Sequence, residues 1–241
     1  MCGIVGYAGN IETACGKPLE VCLQGLERLE YRGYDSAGVA LTAPGMDKVV
    51  VRKKAGRLKN LVEDIERKPM PLATVGIGHT RWATNGEPSD VNAHPHTSMD
   101  GKVAIIHNGI IENYMPLKLD LLKKGHQFKS ETDTEVVAHL MADQYNGNFE
   151  ETVRKVLHII QGSYSLVFLC AKEPDEIICA KKNNPLVIGL GKGENYIASD
   201  IPAIISKTRD TYILSDGEMA IVKADSVVVK DLEGHPIDKK V

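Results

Sequence analysis

The stretch MCGIVGY, residues 1–7, opens the chain. From Gly3 onward this stretch is apolar, and it predicts a buried strand that starts directly after a cysteine. Removal of Met1 would leave Cys2 with a thiol and a free α-amine on one residue. An α-amine has a pKa of roughly 7.7 to 8.0, so near neutral pH part of it is free to accept the thiol proton. The opening stretch therefore predicts a nucleophile that carries its own base.

The composition agrees with a soluble enzyme domain and also fits many other globular proteins. The 241 residues, 43% of them hydrophobic, allow a sizeable core in one large domain or two small ones. A formal net charge of −3 and the lack of a long basic run argue against nucleic acid as a partner. The sequence has no signal-peptide or membrane-spanning pattern, and its five cysteines lack paired metal-ligand spacing. We therefore expect a cytoplasmic protein with no membrane partner.

Four further motifs follow in order: residues 29–38 (LEYRGYDSAG), 79–84 (HTRWAT), 107–113 (HNGIIEN) and 130–135 (SETDTE). Together with Cys2 they closely resemble the glutaminase domain of the glucosamine-6-phosphate synthases, which are N-terminal-nucleophile, class II glutamine amidotransferases. The resemblance covers nearly the whole chain. Several spaced motifs in one order are more specific than any single one of them.

Helical and strand signals mix along the chain. Apolar positions at helical spacing mark residues 19–29, 114–124, 134–145 and 149–160. Strand signals mark residues 37–43, 47–54, 73–79, 102–107, 163–171, 175–180, 186–190, 212–214, 219–222 and 226–229. Periodicity alone does not separate one α+β arrangement from another. The resemblance implies a four-layer αββα sandwich of two antiparallel sheets, the N-terminal nucleophile hydrolase fold. It also implies one glutaminase domain over residues 1–241, without the C-terminal sugar-phosphate isomerase domains of the full synthases.

The resemblance assigns the reaction to Cys2, Asn108 and Gly109. Glutamine would be hydrolysed to glutamate and ammonia through a γ-glutamyl thioester on Cys2. The Asn108 side-chain amide and the Gly109 backbone N–H would form the oxyanion hole. Asn-Gly is also a common tight-turn dipeptide, and here it follows the predicted strand 103–107. A turn and an oxyanion hole are compatible readings.

The same resemblance assigns the recognition of glutamine. A guanidinium can bind a carboxylate through two parallel hydrogen bonds, which suits Arg81 to the α-carboxylate, with Thr84 adding a hydroxyl. Asp133 would pair with the α-ammonium group, together with the Gly109 carbonyl. Trp82 would lie in a loop that closes over glutamine and would help to gate the passage of ammonia. Core packing is the alternative role for this tryptophan.

Several histidines and one asparagine lie in or near these motifs. His94-Pro95-His96 could suggest a metal site, but no Cys or acidic partner has suitable spacing, and the implied chemistry needs neither metal nor cofactor. We expect His94 and His107 to support the site by hydrogen bonding; a purely structural role is the alternative. Asn85 stands where the family commonly has His, so we expect changed loop behaviour or glutamine affinity.

The implied partners are L-glutamine and, in a full-length enzyme, covalently attached isomerase domains with a fructose 6-phosphate site. We expect the isolated domain to be a monomer. Two other functions remain open: the glutaminase domain of a phosphoribosyl-pyrophosphate amidotransferase, and a non-catalytic glutamine-sensing module. The substitution Cys2→Ala separates an enzyme from a sensor, because only an enzyme would lose turnover.

Overall fold

The structure is a computed structural model that describes residues 2–12, 14, 16–84 and 86–241. Within these residues the chain forms five α-helices and thirteen β-strands. The helices are α1 (Lys17–Leu29), α2 (Leu58–Arg67), α3 (Tyr114–Lys123), α4 (Glu135–Gln144) and α5 (Phe149–Ile159). The strands are β1 (Gly3–Gly9), β2 (Ser36–Thr42), β3 (Val50–Ala55), β4 (Val75–Arg81), β5 (His96–Thr97), β6 (Val103–Ile111), β7 (Gly162–Cys170), β8 (Glu173–Lys182), β9 (Val187–Leu190), β10 (Glu194–Ala198), β11 (Thr211–Ile213), β12 (Glu218–Lys223) and β13 (Val227–Asp231).

The strands form two antiparallel sheets. Over the described residues, the first sheet has the strand order β11-β9-β10-β1-β4-β2-β3. The second sheet, counted over the same residues, has the order β13-β12-β8-β7-β6-β5. The expected α+β fold with two antiparallel sheets is confirmed.

Alternation of side chains along the strands produces the layers. On β1, Ile4 belongs to the core between the two sheets, whereas the next residue, Val5, packs into a cluster with Leu26 and Leu29 of α1. Successive strand residues point to opposite faces, so a strand covered on both sides is apolar throughout. On the outer face of the second sheet, Phe168 packs in a cluster with residues of α4 and α5. The order of layers is therefore helix, sheet, sheet, helix.

Most sequence-predicted elements are present, with shifts at their ends. Helix α2 was not predicted, although Leu58, Leu61 and Ile65 are its buried positions and follow a helical repeat. The short strands β5 and β10 were also missed. One boundary matters for function: the strand predicted over 103–107 continues to Ile111, because β6 pairs with β7 along its whole length.

Sheet register brings the key motifs to one place. Strand β1 pairs with β4, with Gly3 opposite Thr80, so Cys2 lies beside Arg81 at the end of β4. Strand β6 of the second sheet brings Asn108 to the same end of the sandwich, where its side chain bonds to the Cys2 carbonyl. Among the described residues, no helix is both long and apolar enough to cross a membrane.

Candidate active site

A cavity of about 340 Å³ lies at this end of the two sheets. Every described residue that the sequence assigned to the site lines it: Cys2, Arg81, Trp82, Thr84, His94, Asn108, Gly109 and Asp133. The cavity thus combines a thiol, amide donors and two opposite charges. The remaining predicted residue, Asn85, lies outside the described residues.

Cys2 is held by hydrogen bonds on both its thiol and its carbonyl. Its Sγ accepts the Trp82 backbone N–H at 3.2 Å, and its carbonyl accepts from Asn108 Nδ2 at 2.9 Å and from Arg32 Nε at 3.1 Å. Arg32, which is buried, pairs with Asp200 at 2.9 Å. Burial raises the pKa of the Cys2 thiol, and the Trp82 N–H and the Arg81 charge offset only part of this effect. The thiol therefore needs a base to become a nucleophile.

Asn108 and Gly109 lie inside strand β6, not in a turn after it. They pair with Ser165 and Tyr164 of β7, so the reading of Asn-Gly as a tight turn is wrong. Gly109 has φ +132°, and a Cβ there would lie 2.0 Å from the Ser163 carbonyl oxygen. Only glycine fits this position without strain, because it tolerates positive φ and lacks a Cβ.

His79 contacts Asn108 from the opposite sheet, and the sequence did not single it out. Its Nε2 lies 3.0 Å from Asn108 Oδ1 and 3.1 Å from the His107 carbonyl oxygen. His79 is fully buried on β4, and burial lowers its pKa to about 3. The sequence did contain a signal for His79, because a polar residue within a strand buried on both faces needs a hydrogen-bond partner.

Arg81 and Asp133 supply opposite charges to the cavity. Arg81 is 3% exposed, and its Nη2 donates to the Gly86 carbonyl at 3.1 Å. Asp133 is 5% exposed, and its Oδ2 accepts the Ile111 backbone N–H at 2.7 Å. A site with both charges suits a ligand that carries both an anionic and a cationic group.

A Thr followed three residues later by a Glu, as at Thr132 and Glu135, predicts a capping box at the start of a helix, but the segment before α4 makes different bonds. Thr132 Oγ1 instead lies 3.0 Å from Ser130 Oγ and 3.0 Å from His96 Nε2. The Glu135 carboxylate accepts the backbone N–H groups of Lys129 and Ser130 at 2.9 and 2.6 Å. Glu135 therefore fixes the turn that leads to Asp133, and the helix begins at Glu135 rather than before it.

Two residues of the YRGYDS motif support the Trp82 segment. Asp35 Oδ2 accepts the Ala83 N–H at 2.8 Å, and the Asp35 N–H donates to the Arg81 carbonyl at 3.0 Å. Tyr34 packs edge-on against Trp82 with 5.7 Å between ring centroids. Trp82 is 47% exposed, so it is a wall of the cavity and not a core residue.

The two histidines expected to support the site behave differently. His107 Nδ1 lies 2.9 Å from Thr134 Oγ1, in agreement with a hydrogen-bonding role. Neither ring nitrogen of His94 has a hydrogen-bond partner within the described chain, so a hydrogen-bonding role for His94 stays a prediction. Its ring packs between those of His79 and His96, at centroid distances of 4.3 and 4.7 Å. Burial lowers the pKa of His94 well below its usual range, which leaves the ring neutral. Outside residues 1, 13, 15 and 85, no group of three or more His, Cys, Asp or Glu could hold a metal ion.

Comparison with known proteins agrees with this geometry. Residues 79–206 match the glutamine amidotransferase domain family. The whole chain is 54% identical to the glutamine–fructose-6-phosphate aminotransferase (isomerizing) of Caldanaerobacter subterraneus and 49% identical to that of Aquifex aeolicus. It spans only 38% and 39% of the length of these two relatives.

A solved structure shares the fold. The glutamine phosphoribosylpyrophosphate amidotransferase of B. subtilis superposes with a TM-score of 0.80 at 26% identity, over 96% of this chain and 49% of that one. This similarity supports the N-terminal nucleophile fold expected from the sequence. The family match covers more than half of the chain, including the end of β4, all of β6 and the segment before α4. The chain therefore belongs to the glutamine amidotransferase domain family.

Proposed function

We propose that this chain hydrolyses L-glutamine to glutamate and ammonia, with Cys2 as the nucleophile. The supporting observation is the single cavity in which the Cys2 thiol, the Asn108 and Gly109 donors, and the Arg81–Asp133 pair of charges meet. A thiol beside oxyanion donors serves acyl transfer, and the two charges serve binding of a free amino acid.

In the proposed mechanism, removal of Met1 exposes the α-amine of Cys2. The amine takes the thiol proton, and Sγ attacks the side-chain amide carbon of glutamine. The carbonyl oxygen becomes an oxyanion that accepts hydrogen bonds from Asn108 Nδ2 and the Gly109 N–H. The protonated amine then gives a proton to the leaving nitrogen, so ammonia departs and a γ-glutamyl thioester forms. Water, deprotonated by the same amine, hydrolyses the thioester and restores the thiol.

Recognition of glutamine is proposed to depend on its two charged ends. The Arg81 guanidinium would bind the α-carboxylate, with Thr84 as a further donor. Asp133 would bind the α-ammonium group, aided by the Gly109 carbonyl. A glutamine inside a peptide lacks both charges and would be rejected. Trp82, held by Tyr34, would cover the bound substrate.

We further propose that residues 1–241 act as the glutaminase domain of a longer protein. There the ammonia would convert fructose 6-phosphate to glucosamine 6-phosphate on attached sugar-phosphate isomerase domains. Sequence identity favours this role over that of a phosphoribosylpyrophosphate amidotransferase. The chain is 54% identical to the Caldanaerobacter aminotransferase and 26% identical to the B. subtilis amidotransferase.

The experiment that tests the proposal is labelling with the glutamine-like electrophile 6-diazo-5-oxo-L-norleucine, followed by intact-mass measurement and peptide mapping. We expect one adduct on Met-free Cys2, release of glutamate from glutamine, and loss of both in Cys2→Ala with glutamine binding retained. Cys22→Ala is the matched control, because Cys22 is buried away from the cavity and its loss should leave labelling unchanged. A Met-free chain with neither adduct nor turnover would favour a glutamine-sensing module. Full turnover by Cys2→Ala would exclude Cys2 as the nucleophile.

A further inference from the structure

We propose that His79 is a positioning residue for the oxyanion hole: its Nε2–H holds Oδ1 of Asn108, so that the Nδ2 amino group faces Cys2 and the reacting carbon. The inference rests on the proposed function, since it assigns a role within glutamine hydrolysis. His79 itself does not line the cavity; it acts through Asn108.

Two acceptors fix the tautomer of His79. Its Nε2 lies 3.1 Å from the His107 backbone carbonyl oxygen, an atom that can only accept a hydrogen bond. Nε2 must therefore carry the proton. The Asn108 side-chain atom 3.0 Å from the same nitrogen must then also be an acceptor, which makes it Oδ1. The amide orientation of Asn108 is thus set by the His107 carbonyl, through the imidazole of His79.

The other end of the Asn108 amide agrees with this orientation. Its Nδ2 donates to the Cys2 carbonyl oxygen at 2.9 Å, and a carbonyl again can only accept. Nδ2 has two protons, so one remains for the oxygen of a substrate in the cavity that Asn108 lines. With the amide flipped, Oδ1 would face both the Cys2 carbonyl and the developing oxyanion, and it would repel both.

The surroundings of His79 keep it in this one state. It lies on β4 between the two sheets, is fully buried, and stacks on His94 at 4.3 Å between centroids. Its Nδ1 is buried without a hydrogen-bond partner within the described chain, so Nε2 makes the directed contacts of the ring. Burial lowers its pKa to about 3, which keeps the ring neutral at neutral pH. A fixed neutral donor suits orientation of a partner, not proton transfer.

The test compares three substitutions of His79. His79→Gln can place an N–H near the position of Nε2, His79→Asn places its amide near Nδ1 and does not reach Asn108, and His79→Phe keeps a ring without a donor. Each is made in the wild-type chain and in an Asn108→Ala background. Glutamate release gives kcat and KM for glutamine, and urea denaturation measures folding.

Loss of one oxyanion donor costs roughly 100-fold to 1,000-fold in kcat, so mispositioning of that donor should cost about 10-fold to 100-fold. We expect this loss for His79→Asn and His79→Phe, with KM nearly unchanged because Arg81 and Asp133 are untouched. His79→Gln should recover most of kcat. In the Asn108→Ala background, the same three substitutions should have little further effect.

Two outcomes would overturn the proposal. One is wild-type kcat in His79→Asn; the other is an equal loss of kcat with and without Asn108, which would indicate a structural role. If His79→Phe fails to fold, the His79→Asn and His79→Gln pair decides the question. Failure of the proposed function is distinct, because the wild-type chain itself would then release no glutamate.

Discussion

Substitution of Gly109 by alanine tests the geometry of β6 most directly. A Cβ at this position would lie 2.0 Å from the Ser163 carbonyl oxygen and 2.7 Å from its carbon. Real Cβ contacts essentially never fall below 3.0 Å, so β6 and β7 would have to separate by at least 1 Å at this pair. The backbone φ of +132° adds strain for any residue with a Cβ.

Two contributions make up the expected loss of stability. Holding a residue other than glycine at this φ costs about 1–3 kcal/mol, and relief of the steric overlap costs about 1–3 kcal/mol more. Gly147→Ala is the matched control, because Gly147 has φ +97° with nothing within 4 Å of the added Cβ. Both variants place alanine at a positive φ. We expect Gly109→Ala to lose about 1–3 kcal/mol more than Gly147→Ala, because only its Cβ overlaps Ser163.

Urea denaturation followed by circular dichroism measures both variants, with glutamate release as the second readout. Displacement of the Asn108–Gly109 segment by about 1 Å should lower kcat by roughly 100-fold in Gly109→Ala. Gly147→Ala should keep wild-type kcat, because it lies in the connection between α4 and α5. Equal stability losses and equal kcat in the two variants would refute the reasoning, since the close approach to Ser163 would then have no effect.

Two further predictions concern the charges around the cavity. Asp133→Asn should raise KM for glutamine by about 10-fold to 100-fold with a smaller change in kcat, because a hydrogen bond to a charged group contributes about 1.5–3 kcal/mol. Steady-state kinetics of glutamate release measure both constants. An unchanged KM would show that Asp133 does not bind the substrate. Glu135→Gln addresses pH dependence. Burial alone would raise the pKa of Glu135, but the neighbouring His139 ring and hydrogen bonds from the Lys129 N–H, the Ser130 N–H and the Ser130 hydroxyl lower it to about 2, from a usual 4.5. Its stabilising effect is therefore fully present above pH 4.5 and is lost as pH falls toward 2. We expect Glu135→Gln to lower the free energy of unfolding at pH 7 by up to about 3 kcal/mol, measured by urea denaturation. The difference in unfolding free energy between variant and wild type should become smaller below pH 4.5. A difference that does not change with pH would show that the ionised carboxylate is not the cause.

The sequence predicted the order of most elements and named eight of the residues that line the cavity, Cys2 among them. Cys2 could be named from its own chemistry, because removal of Met1 would leave a thiol and an α-amine on one residue. The roles of Arg81 and Asp133 were expected only because their motifs resemble those of a known family. The buried strands could be found because runs such as residues 3–7 are apolar on both faces. Helix α2 was not predicted, although Leu58, Leu61 and Ile65 follow a helical repeat. The sequence pattern was therefore sufficient to predict this helix.

Contacts between the two sheets could not be read from the sequence. His79 and Asn108 are 29 positions apart, and the bond between them depends on how β4 of one sheet packs on β6 of the other. The continuation of β6 through Asn108 and Gly109 likewise depends on pairing with β7, which overrides the local preference of Asn-Gly for a turn. Local sequence thus determined which groups are available for the chemistry. Tertiary packing decided their orientation, because the tautomer of His79 and the direction of the Asn108 amide are set by carbonyl groups from distant parts of the chain.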